Sequence, residues 1–537
     1  MKLNKLLTPL VAAGLLSAAT TQAAVVNVTT DVTGTDTWYS TNTYILQTVV
    51  YVQTNAVLTI EAGTVVKGAT NVATLLPRTG VPNLVSALWV ARGGKLYATG
   101  TVERPIIFTF EGDDVNNPND VPPTLTGQWG GVVLCGRAQI NSAQDTTGNA
   151  ASPRYEVFEG TTGAGSVAEH IFGGNDDTDN SGTLRYVSIR HPGNVFASGR
   201  ELNGLTMGGV GSGTDISYIE VFASSDDAFE WWGGNVNTHH LVAAFCEDDD
   251  FDTDQGYRGT NQFWFGIKPP GAGSTDSRGF ETDGDLSQTG YPANNASPVS
   301  SWAVYNATLI GRGKANSSFG GGRAWNARDE ARPNVFNSTF TEFNQGLLVD
   351  SDGINEFVTG VAILANTVQN VASNAFSANA LFVATNSNDE LDPLLGGISY
   401  TNNLGLNPRP LAGSPLLTNV LSGAPVNVSY RGAFGTNDMW AHKWSGIYKL
   451  GYLQGTYVAA VVVPAPNPVT LTITPNGANV DITCTSQSGY SYQLESTTSL
   501  NAPISWGNEG AAQAGTGGTL TFTVSATGAK YFRVFAN

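Results

Sequence analysis

An acidic and aromatic pattern that occurs twice, 22 residues apart, constrains the fold of this chain more than any other feature. The first copy is Asp226–Glu230 (DDAFE) and the second is Asp248–Asp252 (DDDFD). Each copy follows a short apolar run, at 218–222 and 241–245. A repeat of this length is typical of one coil of a β-solenoid, in which equivalent residues of successive coils lie about 4.7–4.9 Å apart. The pattern therefore predicts a solenoid in which two acidic groups lie one above the other.

Further repeats support a solenoid. The pattern of Leu58–Val66 recurs at Leu88–Leu96, 30 residues later, and Val304–Leu309 matches Val335–Phe340 with an offset of 31. Alternating apolar residues predict short strands, and the glycines within these stretches predict tight bends. Each coil would add one layer of core and would hydrogen-bond to the coils on either side, so no coil is stable alone.

Side chains at equivalent positions are expected to stack from coil to coil. Phe229 and Phe251 occupy the same place in the two acidic copies, and we expect both rings to point into the core. Asn306 and Asn337 also occupy equivalent places. They predict an asparagine ladder at a bend, in which the amides of neighbouring coils satisfy one another.

Composition excludes several classes of protein. With 63 glycines and only 13% charged residues, the chain has few stretches that favour long helices. A net charge of −18 argues against nucleic-acid binding, which needs a basic surface, and leaves cation binding open. The three cysteines are too few and too far apart for a disulfide framework, and small buried side chains are expected at Cys135, Cys246 and Cys484.

The N-terminus predicts export. Residues 1–23 have the form of a signal peptide, because Lys2 and Lys5 precede an apolar run and small residues follow it. No other apolar run reaches the ~18 residues that a spanning helix needs, so we expect no transmembrane segment in the mature chain. These features predict a secreted or cell-surface protein, and we expect it to be a monomer.

The rest of the chain divides into three segments. Residues 24–457 carry the solenoid repeats and are predicted to form a β-helix domain. Residues 458–468 are rich in proline and predict a stiff linker. Residues 469–537 contain several short alternating strands separated by turns, which predict a small β-sandwich.

Several stretches resemble known proteins. Leu58–Thr109 is similar to secreted, right-handed parallel β-helix proteins of the pectin-lyase-like kind. Trp129–Ala138, Leu184–His191 and Ser225–Gly259 resemble a subgroup from environmental bacteria of the Bacteroidetes and Verrucomicrobia type. The segment Tyr492–Leu500 is similar to C-terminal β-sandwich modules of exported proteins. The resemblance implies an all-β chain with a right-handed parallel β-helix followed by a β-sandwich.

The doubled acidic pattern is a candidate metal site. Stacked carboxylates repel one another unless a cation, a basic side chain or protons offset their charge. Ca²⁺ takes six to eight oxygen ligands, and adjacent coils can supply several of them. A structural alternative is an acidic bend whose carboxylates accept backbone N–H groups. The candidate metal ligands are Asp226, Asp227, Asp248, Asp249, Asp252 and Asp254.

A catalytic role is the second possibility for this segment. It resembles in outline the paired aspartates of polygalacturonase-type hydrolases, although the chain has neither the Gly-His-Gly nor the Arg-Ile-Lys of those enzymes. Inverting glycosidases need two carboxyl groups about 6.5–9.5 Å apart, and Asp227 and Asp249 are the candidates. Chemistry like that of pectate lyases would need a base beside Ca²⁺, for which Arg258 is the best placed in sequence.

Tryptophans flank the acidic segment and suggest a ligand. An exposed indole ring can stack on the apolar face of a sugar, while polar neighbours bind its hydroxyl groups. The candidates are Trp231, Trp232 and Trp264, although one ring of an adjacent pair must face the core. We expect an exported, Ca²⁺-stabilised protein that binds a polysaccharide or another cell-surface polymer. A polysaccharide hydrolase or lyase, and a structural or adhesive protein without a small ligand, remain open alternatives.

Overall fold

The computed structural model divides the chain into two compact units, one within residues 22–461 and one within 462–537. The predicted signal peptide and linker lie outside the residues that the structure describes. Among the described residues, no helix is both long and apolar enough to cross a membrane. The described residues are 24–142, 154–158, 167–197, 200–269, 277–284, 297–314, 322–349, 363–376, 386–455, 469–487, 491–499, 506–528 and 530–536.

The first unit consists almost wholly of short strands. They are β1 Ala24–Val28, β2 Thr35–Trp38, β3 Asn42–Leu46, β4 Val49–Val52, β5 Val57–Ile60, β6 Val65–Gly68, β7 Ala87–Val90, β8 Lys95–Thr99, β9 Ile106–Phe110, β10 Val132–Cys135, β11 Arg154–Val157, β12 Ile171–Gly174, β13 Gly182–Arg190, β14 Val195–Ala197, β15 Arg200–Glu201, β16 Leu205–Gly208, β17 Asp215–Phe222, β18 Phe229–Trp232, β19 Thr238–Ala244, β20 Phe251–Asp254, β21 Thr260–Ile267, β22 Arg278–Thr282, β23 Ala303–Tyr305, β24 Thr308–Ile310, β25 Arg323–Ala327, β26 Asn334–Phe336, β27 Thr339–Thr341, β28 Gln345–Val349, β29 Ile363–Ala365, β30 Val368–Asn370, β31 Ser373–Phe376, β32 Asp389–Glu390, β33 Leu395–Gly397 and β34 Asn407–Pro410. Short helices occupy Ala168–His170, Pro415–Leu417 and Gly446–Lys449, of which the last is α-helical and is named α1.

Two long sheets confirm the predicted parallel β-helix. Ten strands form one sheet in the order β4, β7, β10, β16, β18, β20, β22, β25, β28 and β31, and each pair is parallel. Eighteen strands form the other sheet, in which β13, β17, β19 and β21 each contribute one long bent strand per coil. The chain thus alternates between the two sheets once per coil, which leaves a core between them.

The register shows which repeats mark true coils. Phe229 pairs with Phe251 and Val304 with Val335, so the spacings of 22 and 31 residues are confirmed. The predicted equivalence of Leu58 and Leu88 is wrong, because Leu58 pairs with Leu96 and lies in the other sheet from Leu88. Both stretches have the form strand, glycine bend and strand, which occurs at two different corners of a coil.

Aromatic rings stack along the core as predicted. The rings of Phe229 and Phe251 lie 5.6 Å apart and 6° from parallel, and Phe251 lies 4.5 Å from Trp264. Trp231 stacks on Trp264 at 5.0 Å. All four side chains have no exposed area, so this part of the doubled pattern builds the core.

The long strands bend at one residue with a left-handed backbone. Tyr186, Tyr218, His240 and Phe263 have φ between 50° and 59°, a region that residues other than glycine and asparagine rarely adopt. Their outward rings stack on one another, with Tyr218 at 4.5 Å from Tyr186 and 4.3 Å from His240. In later coils Asn306, Asn337 and Asn366, also with positive φ, fall at the gap between paired strands.

The predicted asparagine ladder is wrong in its partners. Asn337 accepts a hydrogen bond from the Leu421 N–H and donates one to the Leu421 carbonyl, both at 2.8 Å. Asn306 donates to the Tyr430 carbonyl at 2.8 Å. The amides therefore bind a segment that returns along the solenoid, residues 395–455, which we call the strap. A side-chain amide offers one donor and one acceptor, so it can pair with a passing backbone as another strand would.

The strap covers the outer face of the eighteen-stranded sheet. Phe434 packs edge-on against Phe265 at 5.2 Å, and Trp440 meets His240 at 4.9 Å. Glu220, which has no exposed area, accepts hydrogen bonds from the N–H groups of Gly446 and Ile447 at the start of α1. The strap thus buries apolar surface of several coils at once, and this links their stabilities.

The second unit is antiparallel. Its strands are β35 Thr472–Asn476, β36 Asn479–Thr485, β37 Ser491–Thr497, β38 Gly507–Asn508, β39 Gln513–Ala514, β40 Thr519–Ser525 and β41 Tyr531–Ala536. One sheet has the order β35, β36 and β40, and in the other β37 pairs with β38, β39 and β41. Ile482, Tyr492, Leu494 and Phe522 form its core. The cysteines Cys135, Cys246 and Cys484 are free and buried, as predicted.

A buried histidine predicts acid sensitivity. His191 is 2% exposed, its Nδ1 lies 2.6 Å from the Leu125 carbonyl oxygen, and burial lowers its pKa to about 4. The unfolded chain takes up this proton near pH 6.5, so this contribution to stability is complete above pH 6.5 and is lost as the pH falls towards 4. The loss amounts to about 3 kcal/mol.

Thermal melts between pH 7 and 4.5 check this expectation. His191→Gln keeps a donor for the Leu125 oxygen but does not titrate, so its melting temperature should fall less over this range than that of the wild type. Parallel curves for the two proteins would contradict the assignment.

Candidate metal-binding cleft

A row of oxygen-bearing side chains follows the outward face of the ten-stranded sheet. Thr206, Glu230, Asp252, Glu281 and Asn326 pair in register on β16, β18, β20, β22 and β25. Alternate residues of a strand point to opposite faces, so the core aromatics on these strands alternate with this row. The solenoid thereby places one oxygen-bearing side chain per coil along its axis, and we call these five residues the carboxylate row.

The aspartates at the entry to β18 and β20 tie each coil to the next. Asp227 Oδ1 accepts the Asp249 N–H at 2.8 Å, and Asp249 Oδ1 accepts the Arg278 N–H. Both carboxylates thus cap the backbone of the following coil, which is the structural role that the sequence left open. Such caps also fix the direction in which the remaining carboxylate oxygens point.

Carboxylate oxygens converge in three sets beside the row. In each set, one oxygen from every member lies within 4.8 Å of the others. Asp227 belongs to two sets and so does Asp252, so the sets form one continuous line along the solenoid axis. The sets are Asp226, Asp227 and Asp248; Asp227, Glu230 and Asp252; and Asp252, Glu281 and Asp283.

The line borders a cavity of about 320 Å³, which we call the cleft. Trp232 and Phe158 form an aromatic wall, with their rings 5.9 Å apart and nearly perpendicular. Arg200 and Arg328 also line it. The acidic lining residues are Glu201, Asp226, Asp227, Glu230, Asp252, Asp254, Glu281 and Asp283.

Burial and mutual repulsion perturb these carboxyl groups. Burial, followed by the charges of neighbouring acids, raises the pKa of Asp227 and of Asp252 well above the ordinary value. The same causes raise the pKa of Asp254 to about 8, and burial together with Asp249 raises that of Glu281 to about 9. A site of this kind favours a bound cation or bound protons over bare negative charge.

Two arginines offset only part of the charge. Arg278 Nη1 lies 2.6 Å from Glu281 Oε1 and 3.3 Å from Asp249 Oδ2. Arg328 Nη2 lies 3.1 Å from Glu281 Oε2 and 2.5 Å from Asp283 Oδ2. Both arginines lie at the Glu281 end of the line. At the other end, the set of Asp226, Asp227 and Asp248 has no ion pair among the described residues.

Neutral oxygens complete the set of candidate ligands. Asn203 is 5% exposed and lines the cleft; its Nδ2 donates to Glu230 and Thr206, and its Oδ1 has no partner among the described residues. Asp252 Oδ1 is also buried without a hydrogen bond. Buried acceptors of this kind ordinarily find a partner, and a hard cation provides one for several oxygens at once.

The structure brings most of the predicted metal ligands together. Asp226, Asp227, Asp252 and Asp254 line the cleft, and Asp248 joins the first set of oxygens. Asp249 is 2% exposed and bound by Arg278, so it supports the site from behind.

Other predicted site residues lie elsewhere. Arg258 binds both oxygens of Asp177 at 2.9 and 3.0 Å and lies outside the lining of the cleft. Trp231 and Trp264 have no exposed area and cannot contact a sugar, because their strand positions point into the core. Trp232 takes the outward position and is the one predicted tryptophan that lines the cleft.

Sequence reasoning missed Glu230, Glu281, Asp283 and Arg328. A signal for two of them was present, since Phe280–Asp283 (FETD) repeats Phe251–Asp254 (FDTD) after 29 residues. The structure pairs these strands in that register. A search for phenylalanine followed by alternating acids would have found the third coil of the site.

Comparison with known proteins identifies the solenoid. A family model described as a pectate-lyase-like β-helix domain matches residues 29–392. No curated protein and no solved structure matches the chain.

Proposed function

We propose that this chain, which belongs to the family of pectate-lyase-like β-helix domains, binds Ca²⁺ in the cleft and, through that cation, a carbohydrate or another cell-surface polymer. The observation that carries the proposal is the line of three carboxylate sets, each with oxygens within 4.8 Å of one another. Ligands on opposite sides of Ca²⁺ lie about 4.6–5.2 Å apart, which is twice the Ca–O distance. Each set therefore fits around one ion.

The composition of the cleft favours a hard cation. Its candidate ligands are carboxylates and the Asn203 amide oxygen, and the three sets contain neither histidine nor cysteine. Calcium prefers such oxygen ligands and tolerates irregular geometry, whereas Mg²⁺ needs a nearly ideal octahedron at shorter distances. Carboxylates fixed on successive coils, as Glu230, Asp252 and Glu281 are, cannot easily move inward to meet the shorter distance.

The walls of the cleft suit a sugar. Trp232 is 8% exposed and presents part of its ring beside Glu230 and Asp254, and Arg200 and Arg328 add donors. A ring face for the apolar side of a sugar, together with donors and a cation for its oxygens, is the usual make-up of a carbohydrate site. An acidic polymer would bind through the cation, because the bare cleft repels it.

Binding measurements check this proposal. We expect an acidic polysaccharide to be retained in affinity electrophoresis with Ca²⁺ and released by EDTA. Trp232→Ala should weaken retention about tenfold, since stacking on one aromatic ring contributes roughly 1–1.5 kcal/mol. Tyr39→Ala, which removes a ring that is 51% exposed and lies outside the cleft, is the matched control. Retention that is unchanged by EDTA and by Trp232→Ala would exclude this mode of binding.

A polysaccharide hydrolase is the second candidate, and the raised pKa values favour it over a lyase. Asp254 and Glu281 would hold protons near neutral pH when no cation is bound, as a general acid must. The carboxylates around Arg328 raise its pKa further, so it stays protonated and cannot serve as the base of a lyase. New reducing ends from acidic polysaccharides, lost in Asp227→Asn, would establish hydrolysis. Binding without product formation favours the first proposal, and neither binding nor turnover would leave a structural or adhesive role.

Export is part of the proposal. The N-terminal pattern of Lys2, Lys5 and the following apolar run supports it. Sequencing of the N-terminus of protein collected from the culture medium should show a chain that starts near Ala24. Full-length protein retained inside the cell would contradict this.

A further inference from the structure

We infer that Arg190 and Lys449 form a binding site for a small inorganic anion, at the contact between the strap and the outer face of the eighteen-stranded sheet. Arg190 is 1% exposed. Its Nε donates to Ser188 Oγ at 3.0 Å, and its Nη2 has no hydrogen-bond partner. Among the described residues it forms no ion pair. A buried guanidinium without a counter-charge is strongly unfavourable, so the site calls for an anion.

The neighbouring carboxylate is already in use. Glu220 accepts Ser188 Oγ at 2.6 Å, the Ile447 N–H at 2.8 Å and the Gly446 N–H. Ser188 thus stands between Arg190 and Glu220 and links them through its hydroxyl group. The two oxygens of Glu220 hold the start of α1, and neither reaches the guanidinium as an ion pair.

Lys449 adds a second positive charge. It is half-buried on α1, and burial together with the charge of Arg190 lowers its pKa to about 8, against the opposing effect of Glu220. No described carboxylate forms an ion pair with it. Two cations and one carboxylate therefore share this contact.

Other acids near the contact do not supply the missing charge. Asp113 is buried and influences His191, the residue after Arg190, but its Oδ2 accepts the Thr109 hydroxyl at 2.6 Å. The groups that remain free are N–H donors of a guanidinium and an ammonium. Such donors bind halides and small oxyanions through charge-assisted hydrogen bonds. We assign the site to a small inorganic anion such as chloride.

Anomalous diffraction from crystals of the full chain soaked in bromide tests the site directly. We expect a peak within hydrogen-bond distance of both Arg190 Nη2 and Lys449 Nζ. The peak should be lost in Lys449→Gln, which keeps the length of the side chain but not its charge. The absence of a peak in the wild type, or an Arg190 side chain that pairs with a carboxylate instead, would overturn the inference.

Thermal melts give a second, independent measurement. At equal ionic strength, replacing gluconate by chloride should raise the melting temperature of the wild type by on the order of 2–3 °C when the anion is at about 100 times its dissociation constant. Lys449→Gln should lose that difference, whereas Lys443→Gln should keep it. Lys443 lies on the same strap with its side chain 64% exposed, so it controls for general charge effects. An equal response of both variants would show that the anion acts elsewhere.

Discussion

Phe251→Ala should lower the free energy of unfolding by about 3–5 kcal/mol. The ring has no exposed area and lies between Phe229 at 5.6 Å and Trp264 at 4.5 Å. Its removal leaves a cavity that the neighbouring rings cannot close, because the backbones of adjacent coils are held at a fixed spacing by their hydrogen bonds. Urea titration followed by tryptophan fluorescence measures the loss.

Phe251→Leu separates packing from shape. It keeps most of the buried volume and should cost less than about 1.5 kcal/mol. In both variants the folded protein should still bind Ca²⁺, since the ring points away from the acids that flank it. Loss of Ca²⁺ binding in Phe251→Leu, with little loss of stability, would mean that the core and the cleft are coupled more closely than the alternation of side chains implies.

The fold was predictable because a solenoid repeats in sequence what it repeats in space. The match of Phe229 with Phe251 and of Val304 with Val335 follows from coils that contain few inserted residues. The match of Leu58 with Leu88 failed because the corner of a coil, a glycine between two short strands, occurs more than once per coil. The strap could not be foreseen, since Asn337 and Glu220 bind its backbone, and backbone leaves no pattern in a sequence.

The site was predictable in part for a related reason. The acids of the doubled pattern lie in the cleft because the coil that separates them has no long insertion. Glu281 and Asp283 were missed because a loop lengthens their coil, so the spacing changed although the pattern of phenylalanine and acids did not. Arg258 was placed near the acids by its position in sequence, but its bend carries it to Asp177.

Asp252→Asn should change the stability of the protein in opposite directions with and without Ca²⁺. Asp252 belongs to two of the three oxygen sets, and burial with neighbouring acids raises its pKa well above the ordinary value. A group whose pKa is raised on folding favours the fold only while it is protonated, so at neutral pH the bare carboxylate opposes folding. In EDTA the uncharged amide should therefore raise the free energy of unfolding, by roughly 1–2 kcal/mol.

With Ca²⁺ present the same substitution should be destabilising relative to the wild type. An ion at about 100 times its dissociation constant stabilises the native protein by about 2.7 kcal/mol, and the variant should lose most of this gain because two sets of ligands share Asp252. Urea titrations of both proteins with Ca²⁺ and with EDTA measure the four values required. Asp215→Asn, an exposed acid at the start of β17, should shift neither pair. A variant that is destabilised equally in both solutions would show that Asp252 acts through its hydrogen bonds and packing, with no cation involved.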